Sequence, residues 1–299
     1  MIEAKIIIVG SAVDQTIDHF CTTASWFCDE VAFLDLSFLA IELSSGRLSM
    51  PDILRMMDME IGSSSGVFIR DRRPKLDVGK EEHYASVRDN AHKMILERGS
   101  LPIINPLTTK STNFSKFQHL IRLAPIAKSF GIEIPRTVLT NTISRSLGCF
   151  EKGQPLIVKG ASSKKTQVVK YEQECLKQMV CAEPVIAQQW IDGDDLRVHV
   201  VGDACVAERI QSDAVDYRSS GRNKHENVAI PEFIHDFCVE VSRSEGLVLS
   251  GVDFLVRDGK FYFLEVNSDP DFRGYDKRSG FAISRNIVEY MVSGAAHQL

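Results

Sequence analysis

The sequence lacks any apolar run approaching the about 20 residues that a bilayer-spanning helix requires. No membrane partner is therefore expected. A basic excess is missing too: 35 Lys+Arg against 40 Asp+Glu leave a net charge of -5, which argues against a constitutive, sequence-independent grip on nucleic acid. Ten prolines and 19 glycines are too few and too scattered for a low-complexity or fibrous chain. The seven cysteines (Cys21, Cys28, Cys149, Cys175, Cys181, Cys205 and Cys238) contain no C-x-x-C pair and have no histidine at zinc-ligand spacing. Their odd number reads as reduced thiols. The N-terminal apolar stretch is too short for a signal-peptide core and carries no small-residue cleavage site, so a cytoplasmic location is expected. Both phosphate-loop signatures, G-x-G-x-x-G and G-x-x-x-x-G-K-[ST], are absent, and Gly10 is read as the end of a strand.

What is present is an ordinary globular composition, 44% hydrophobic and 25% charged over 299 residues. A chain of this length buries roughly three quarters of the surface its unfolded form exposes. The β-branched run KIIIV at 5–9, a polar helix-compatible stretch and a second apolar run at 31–36 open the chain as β-α-β, the start of a doubly wound sheet. A third strand fits 66–70, and LPIINP at 101–106 reads as a fourth. From about Asn113, Phe114, Phe117, Leu120, Ile121, Ala124, Ala127 and Phe130 recur at helical steps. Pro125 is expected to kink that helix or start a new turn, and Gly131 to stop it. IEIPRTVLT then reads as extended, with Pro135 at an exposed or edge position.

Beyond about residue 155 the pattern changes to short strands with tight turns. Strands are expected at 156–159 and 185–189, and a hairpin over 196–210 turns at Gly202-Asp203. A helix fits 231–245, with Pro231 in its first turn and Gly246 just past its end. Strands at 251–256 and 261–266, turning at Asp258-Gly259, and a helix over 281–293 complete the chain.

The final hairpin, GVDFLVRDGKFYFLEVNSD, places Asp253, Glu265 and Asn267 in otherwise apolar strands. Side chains alternate along a strand, so Glu265 and Asn267 share a face. Asp253 joins them if the turn holds an odd number of residues; a two-residue turn sends it to the opposite face. Converging, the three form a hard, oxygen-only site suited to Mg²⁺. Otherwise they are the polar face of a half-exposed hairpin. Lys159 ends the strand LIVK before the small polar loop 160–165, which could cover phosphates with backbone N–H groups or lie solvated. In AQQWIDGDDLRVHVVGD, Gln188, Gln189, Trp190 and Ile191 precede a polar turn, then Asp195 and Arg197 head a strand. An apolar edge followed by an acid suits a purine and its ribose; an ordinary strand-turn-strand is the alternative. DYRSSGR at 216–222 is a polar loop with two guanidiniums, able to bind an anion.

Taken in order, IINP, FSKFQHLIRLA, GIEIPRTVLTN, LIVK, QQWIDGDDLRVHVVGD, DYRSS and GVDFLVRDGKFYFLEVN resemble the ATP-grasp superfamily over about residues 66–293. Within it the chain is similar to the RimK-like glutamate ligases and to the maturases of graspetides, the microviridin-type crosslinked peptides. VFIRDRRP, IPRTVLTN and IQSDAVDYR look like the maturases; NSDPDFRGYDKRSG looks like the RimK-like enzymes. The resemblance implies an α/β and α+β chain with the ATP-grasp fold. Its parts would be an N-terminal α/β domain (1–112), a small central α+β domain (113–194) and a C-terminal α+β domain (195–299) holding magnesium.

Carried over by position, Lys116 and Lys159 are implied to reach the phosphates of ATP, Gln188, Gln189 and Ile191 to read adenine, and Asp195 to bind ribose. Arg197 and Arg218 would stand by the transferred phosphate and the acyl group, with Asp253, Glu265 and Asn267 on Mg²⁺. The implied reaction is ATP-dependent carboxylate ligation, an acyl phosphate being attacked by an amine or hydroxyl. The acceptor would be a peptide or amino acid, and Arg70, Arg72, Arg73, Arg222, Arg273 and Arg278 suggest an acidic one. A homo-oligomer is implied by the resemblance alone. Ser220 in place of Asn, Asp269-Pro270-Asp271 after the metal asparagine, and the glycine-poor loop after Lys159 depart from the RimK-like pattern and bear on the acceptor. An ATP- or peptide-binding module without ligase activity is the rival from another class. His119, His199 and His225 receive no role. Glu265→Gln or Asp253→Asn is expected to abolish turnover with the fold intact, and Lys159→Ala to weaken ATP binding.

Overall fold

Ile6, Ile7, Ile8 and Val9 are wholly shielded from solvent, as an inner strand of a parallel sheet requires. They belong to β1 (Ile2–Gly10), which in the computed structural model is followed by α1 (Gln15–Ala24), β2 (Cys28–Asp35), α2 (Leu36–Ser44), α3 (Met50–Gly62), β3 (Gly66–Ile69), α4 (Lys80–Glu97) and β4 (Ile103–Ile104). The structure describes residues 2–70, 80–105, 116–161, 168–219 and 222–293. The four strands pair in parallel in the order β2-β1-β3-β4. Helices α2, α3 and α4 pack on the face carrying Ile7, Val9 and Val67; α1 packs on the face carrying Ile6, Ile8 and Phe68. Leu36, expected in the second strand, instead begins α2, because the Asp35 carboxylate accepts the Ser37 N–H at 2.9 Å and caps the helix there.

The central part holds α5 (Lys116–Ser129), β5 (Thr137–Thr142), α6 (Ile143–Ser146), β6 (Leu156–Gly160), β7 (Val169–Tyr171), α7 (Gln173–Leu176) and β8 (Val180–Gln189). Its strands form an antiparallel sheet in the order β5-β8-β6-β7. The expected start of α5 at Asn113 lies outside the described residues. Helix α5 runs through Pro125 without ending. The hydrogen bond that proline removes would have gone to Ile121, which is 58% exposed, so water can take its place. Pro135 precedes β5, the edge strand, where its missing N–H costs no ladder bond.

The last part comprises β9 (Asp194–Val201), β10 (Ala204–Ser212), β11 (Asn223–Asn227), α8 (Glu232–Ser244), β12 (Leu249–Arg257), β13 (Lys260–Asn267), α9 (Arg273–Arg278) and α10 (Ala282–Ser293). An antiparallel sheet runs β11-β10-β9-β12-β13. Phe237 of α8 and Leu123 of α5 pack on its apolar face with Val198, Phe254 and Phe263. Gly246 (φ 68°) ends α8 in the left-handed region, as the sequence predicts.

Two connections tie the first sheet to the last. Helix α10 places Ile287, Val288 and Met291 in one core with Ile6, Phe68, Val201 and Leu249. Asn105, at φ 53°, donates its amide to the carbonyls of Leu249 and Ser268 at 2.7 and 2.8 Å and accepts the N–H groups of Val248 and Leu249 at 3.1 and 2.8 Å. All seven cysteines carry free thiols. Among the described residues no helix is long and apolar enough to cross a membrane.

Candidate active site

Along β9, Leu196, Val198 and Val200 enter the apolar core, so the alternation of a strand turns Asp195, Arg197 and His199 to the other face. Register then fixes their neighbours. Glu208 of β10 and Asp253 of β12 both lie directly opposite Arg197, and Glu265 of β13 lies opposite Asp253. Residues directly opposite share a face, so Glu208, Arg197, Asp253 and Glu265 form one charged row across four strands.

The turn of the last hairpin holds two residues, Asp258 (φ 51°) and Gly259 (φ 73°), the geometry that by simple counting separates Asp253 from Glu265. A β-bulge corrects the parity. Phe254 pairs with Phe263, but Asp253 pairs with Glu265, leaving Leu264 as the extra residue. Asn267, two residues on and opposite Gly251, shares the face. The three candidate metal ligands therefore converge, through a device the spacing did not reveal.

Arg197 is buried, and its Nη1 donates to both Asp253 oxygens at 2.5 Å. Its guanidinium occupies the space where a Cβ on Gly251 would stand, which explains a glycine inside a central strand. Burial, and then the neighbouring Glu265, push the Asp253 carboxyl above its ordinary range against the pull of Arg197. The Asn267 Oδ1 accepts the Asp269 N–H at 3.0 Å, which orients that amide. Among the described residues no three acidic, histidine or cysteine side chains are placed to hold a metal by themselves. Two carboxylates and one amide oxygen are the partial, hard donor set that suits Mg²⁺ retaining water and phosphate ligands, so the residues fit the ion. Burial, helped by the charges of Asp253 and Asp216, pushes the Asp195 carboxyl up to about 7.

The central sheet supplies the opposite wall. Leu156 and Val158 of β6 enter the core beneath it, so Ile157 and Lys159 face the other way. Lys159 Nζ donates to Gln188 Oε1 at 3.2 Å, and Gln188 Nε2 donates to Thr137 Oγ1 at 2.9 Å, holding the lysine over β8. The Gln189 N–H bonds the Arg136 carbonyl at 2.8 Å, and the Trp190 N–H the Pro155 carbonyl at 3.0 Å. Gly193 then allows the turn into β9, since a Cβ there would strike the Val256 carbonyl. The Lys116 side chain and the loop residues 162–165 lie outside the described residues.

Arg218 projects from the loop between β10 and β11. Its Nε and Nη2 donate to the two Asp216 oxygens, both at 2.7 Å. Beside it, Tyr217 Oη lies 2.9 Å from Tyr275 Oη. A cleft of 1250 Å³ gathers Lys159, Gln188, Gln189, Ile191, Asp195, Arg197, Arg218, Asp253, Glu265 and Asn267, every candidate whose side chain is described.

Sequence reasoning passed over Glu208 and Tyr275 and gave Asp216 and Tyr217, within the loop it singled out, no individual role. The signal for Glu208 was an acid opposite an arginine in a hairpin whose turn was correctly placed. Of the arginines expected to meet an acidic partner, three are held by the chain's own carboxylates. Arg70 is buried with Asp14 (2.7 Å), Asp269 and the Pro270 carbonyl (3.0 Å); Arg273 grips Asp271; Arg278 forks onto Glu208. Arg72 and Arg73 lie outside the described residues. Two histidines left without a role also have structural settings: His119 lies 2.9 Å from Glu245, and His225 lies 2.6 Å from Glu208.

A cleft between an antiparallel sheet bearing acids and a smaller sheet bearing a lysine is the architecture of an ATP-grasp protein, joined here to an N-terminal parallel α/β layer. The RimK-like ATP-grasp domain family matches residues 116–291, and the chain belongs to that family. A probable alpha-L-glutamate ligase of Shewanella sp. (strain W3-18-1) is 34% identical over 116 residues, a match covering 36% of this chain and only 38% of that protein. Among solved structures, the ATP-grasp ligase PsnB with its minimal precursor superposes with a TM-score of 0.71 at 20% identity, over 98% of this chain and 100% of that one. The macrocyclase MdnC of Microcystis aeruginosa MRC, bound to precursor peptide MdnA, gives 0.67 at 18% identity, over 97% and 99%. These likenesses bear out the expected fold.

Proposed function

We propose that the protein is an ATP-dependent ligase that activates a peptide carboxylate as an acyl phosphate for attack by an amine or hydroxyl. The observation that carries this reading is the convergence of the acidic pair Asp253 and Glu265, Asn267 and two arginines at one end of a cleft whose other end holds Lys159 and the Gln188–Ile191 segment. In this reading Gln188, Gln189 and Ile191 flank the adenine, Asp195 takes the ribose, and Lys116 and Lys159 hold the phosphates. Asp253, Glu265 and Asn267 would hold Mg²⁺, which supplies positive charge against the phosphate oxygens when bound. Arg218, oriented by Asp216, and Arg197, oriented by Asp253, stand where a negatively charged acyl group is stabilised, at about 3 kcal/mol for a well-placed donor. No protein nucleophile is needed.

A peptide substrate is supported by the structural neighbours, whose descriptions name precursor peptides; amino-acid addition is supported by the relatives named as glutamate ligases. The test is ADP release with Mg²⁺ against acidic peptides and free amino acids, followed by mass spectrometry of the acceptor. Loss of one water from a peptide assigns intramolecular ester or amide closure, and gain of a residue mass assigns amino-acid ligation. ATP binding without ADP release from any acceptor would leave a binding module and overturn the proposal.

A further inference from the structure

The cleft extends past the acidic row to a second wall built from α1, α9 and the start of α10, where Gln15, Trp26, Lys277 and Phe281 line it. Its 1250 Å³ exceeds the range of about 300–1,000 Å³ that houses one small ligand. Space is therefore left for a second occupant beside a nucleotide.

Phe281 is the unusual residue there. Its φ of 64°, directly after Gly280 at 67°, lies where a bulky side chain is strained and a glycine is not. The conformation is imposed by the turn: the Phe281 N–H bonds the Asp276 carbonyl at 2.7 Å, and the buried Asp276 carboxylate accepts the Ser284 N–H at 2.9 Å. Strain retained at such a position is a pointer to function. The Phe281 ring is not buried in the core. It stands edge-on to Trp26, ring centroids 4.7 Å apart, and Trp26 is itself 50% exposed. His19, fixed 2.8 Å from Asp276, stacks behind Phe281 at 6.4 Å. Two large aromatic rings thus stand on the cleft wall, Phe281 held in place by a buried polar network and Trp26 by its edge contact with Phe281. Lys277, exposed on the same wall, makes no ion pair among the described residues.

We propose that Trp26 and Phe281 seat a large apolar side chain of the peptide substrate next to its reacting carboxylate, while Lys277 takes a further acidic group of that peptide. This subsite rests on the ligase reading above and names the substrate it selects: an acidic peptide with an aromatic or branched aliphatic residue beside the acid. Apolar rings and one exposed ammonium complement such a segment, and the continuity of the cleft leads it to Arg218 and Glu265.

The test uses the full chain and short peptides of Glu and Asp that carry Phe, Leu or Gly beside the acid. It reads KM and kcat for ADP release and, separately, quenching of tryptophan fluorescence. The wild type should favour the Phe and Leu peptides over the Gly peptide by about tenfold in affinity. Trp26→Ala and Phe281→Gly should erase that preference by raising KM with kcat and nucleotide affinity held, and Lys277→Glu should weaken every acidic peptide. Phe281→Gly should keep a melting temperature near the wild type, since it relieves strain; if it fails to fold, Trp26→Ala carries the test. Equal affinity for all three peptides, or a preference that survives both aromatic substitutions, overturns the subsite. ADP release without side-chain preference would overturn the subsite and leave the ligase standing. Selective quenching without ADP release would do the reverse.

Discussion

Removing the Asp253 carboxylate and removing the Glu265 carboxylate are different experiments, because only Asp253 is clasped by the buried Arg197 guanidinium. Glu265→Gln should lower turnover by about 100-fold or more, as loss of a charge-stabilising group does, with a smaller shift of the unfolding midpoint than Asp253→Asn. Asp253→Asn should lose as much activity and also about 3 kcal/mol of stability, since it strands a buried charge; denaturant unfolding of both variants separates the two effects. The sequence alone suggested that both would leave the fold intact. Asp195 supplies a pH test. Its carboxyl ionises near 7 in the folded protein and near its ordinary value of about 4 when unfolded. The unfolded chain therefore ionises first as pH rises, and Asp195 weakens the native state progressively until about pH 7. Asp195→Asn should melt higher than the wild type by a margin that grows from pH 4 to pH 7 and then levels off. A margin independent of pH would show that burial does not perturb this acid.

At the scale of elements, the site depends on how three strands meet. Strand β12 must pass beneath the Arg197 guanidinium of β9, and Gly251 provides the room. Gly251→Ala should therefore dislodge Arg197 from Asp253, lowering kcat by about tenfold or more and stability by about 2 kcal/mol, the usual cost of overpacking. An alanine variant with wild-type kinetics would remove Arg197 from the site's geometry. The bulge at Leu264 acts on the neighbouring pair, β12 with β13. It compensates for an even turn and brings Glu265 opposite Asp253, a re-aiming that bulges next to active sites commonly perform. On the opposite wall, Gln188 spans from Thr137 to Lys159, so three strands of the central sheet share in placing one ammonium.

At the scale of the whole molecule, Asn105 is the joint between the parallel sheet and the acidic strand β12. One side chain makes four hydrogen bonds to the 248–249 and 268 backbone from a left-handed position that asparagine tolerates well. Asn105→Ala should cost about 3 kcal/mol, because it leaves buried backbone groups without partners and places alanine at positive φ. Calorimetry is the direct check, and a melting temperature equal to the wild type would mean the joint is carried without Asn105. Arg70 adds a further tie, linking the end of β3 to Asp269 and Pro270 just beyond Asn267. The N-terminal layer thus braces the loop that follows the candidate metal ligands.

Much of this was legible in the chain itself. Strands and turns of the last two hairpins, the cap at Gly246 and the shared face of Glu265 and Asn267 follow from local sterics and side-chain periodicity, which neighbouring residues determine without help from the rest of the fold. The order of the motifs likewise carried the ATP-grasp resemblance. Tertiary structure decided what depends on register and burial between distant segments. The bulge overruled the turn count for Asp253; Arg70, Arg273 and Arg278, expected to meet an acidic partner, pair with internal carboxylates; and Trp26 met Phe281 on one wall of the cleft. Periodicity assigns a side chain to a face, but only the packed sheets and helices determine which charges are desolvated together and which rings share a wall.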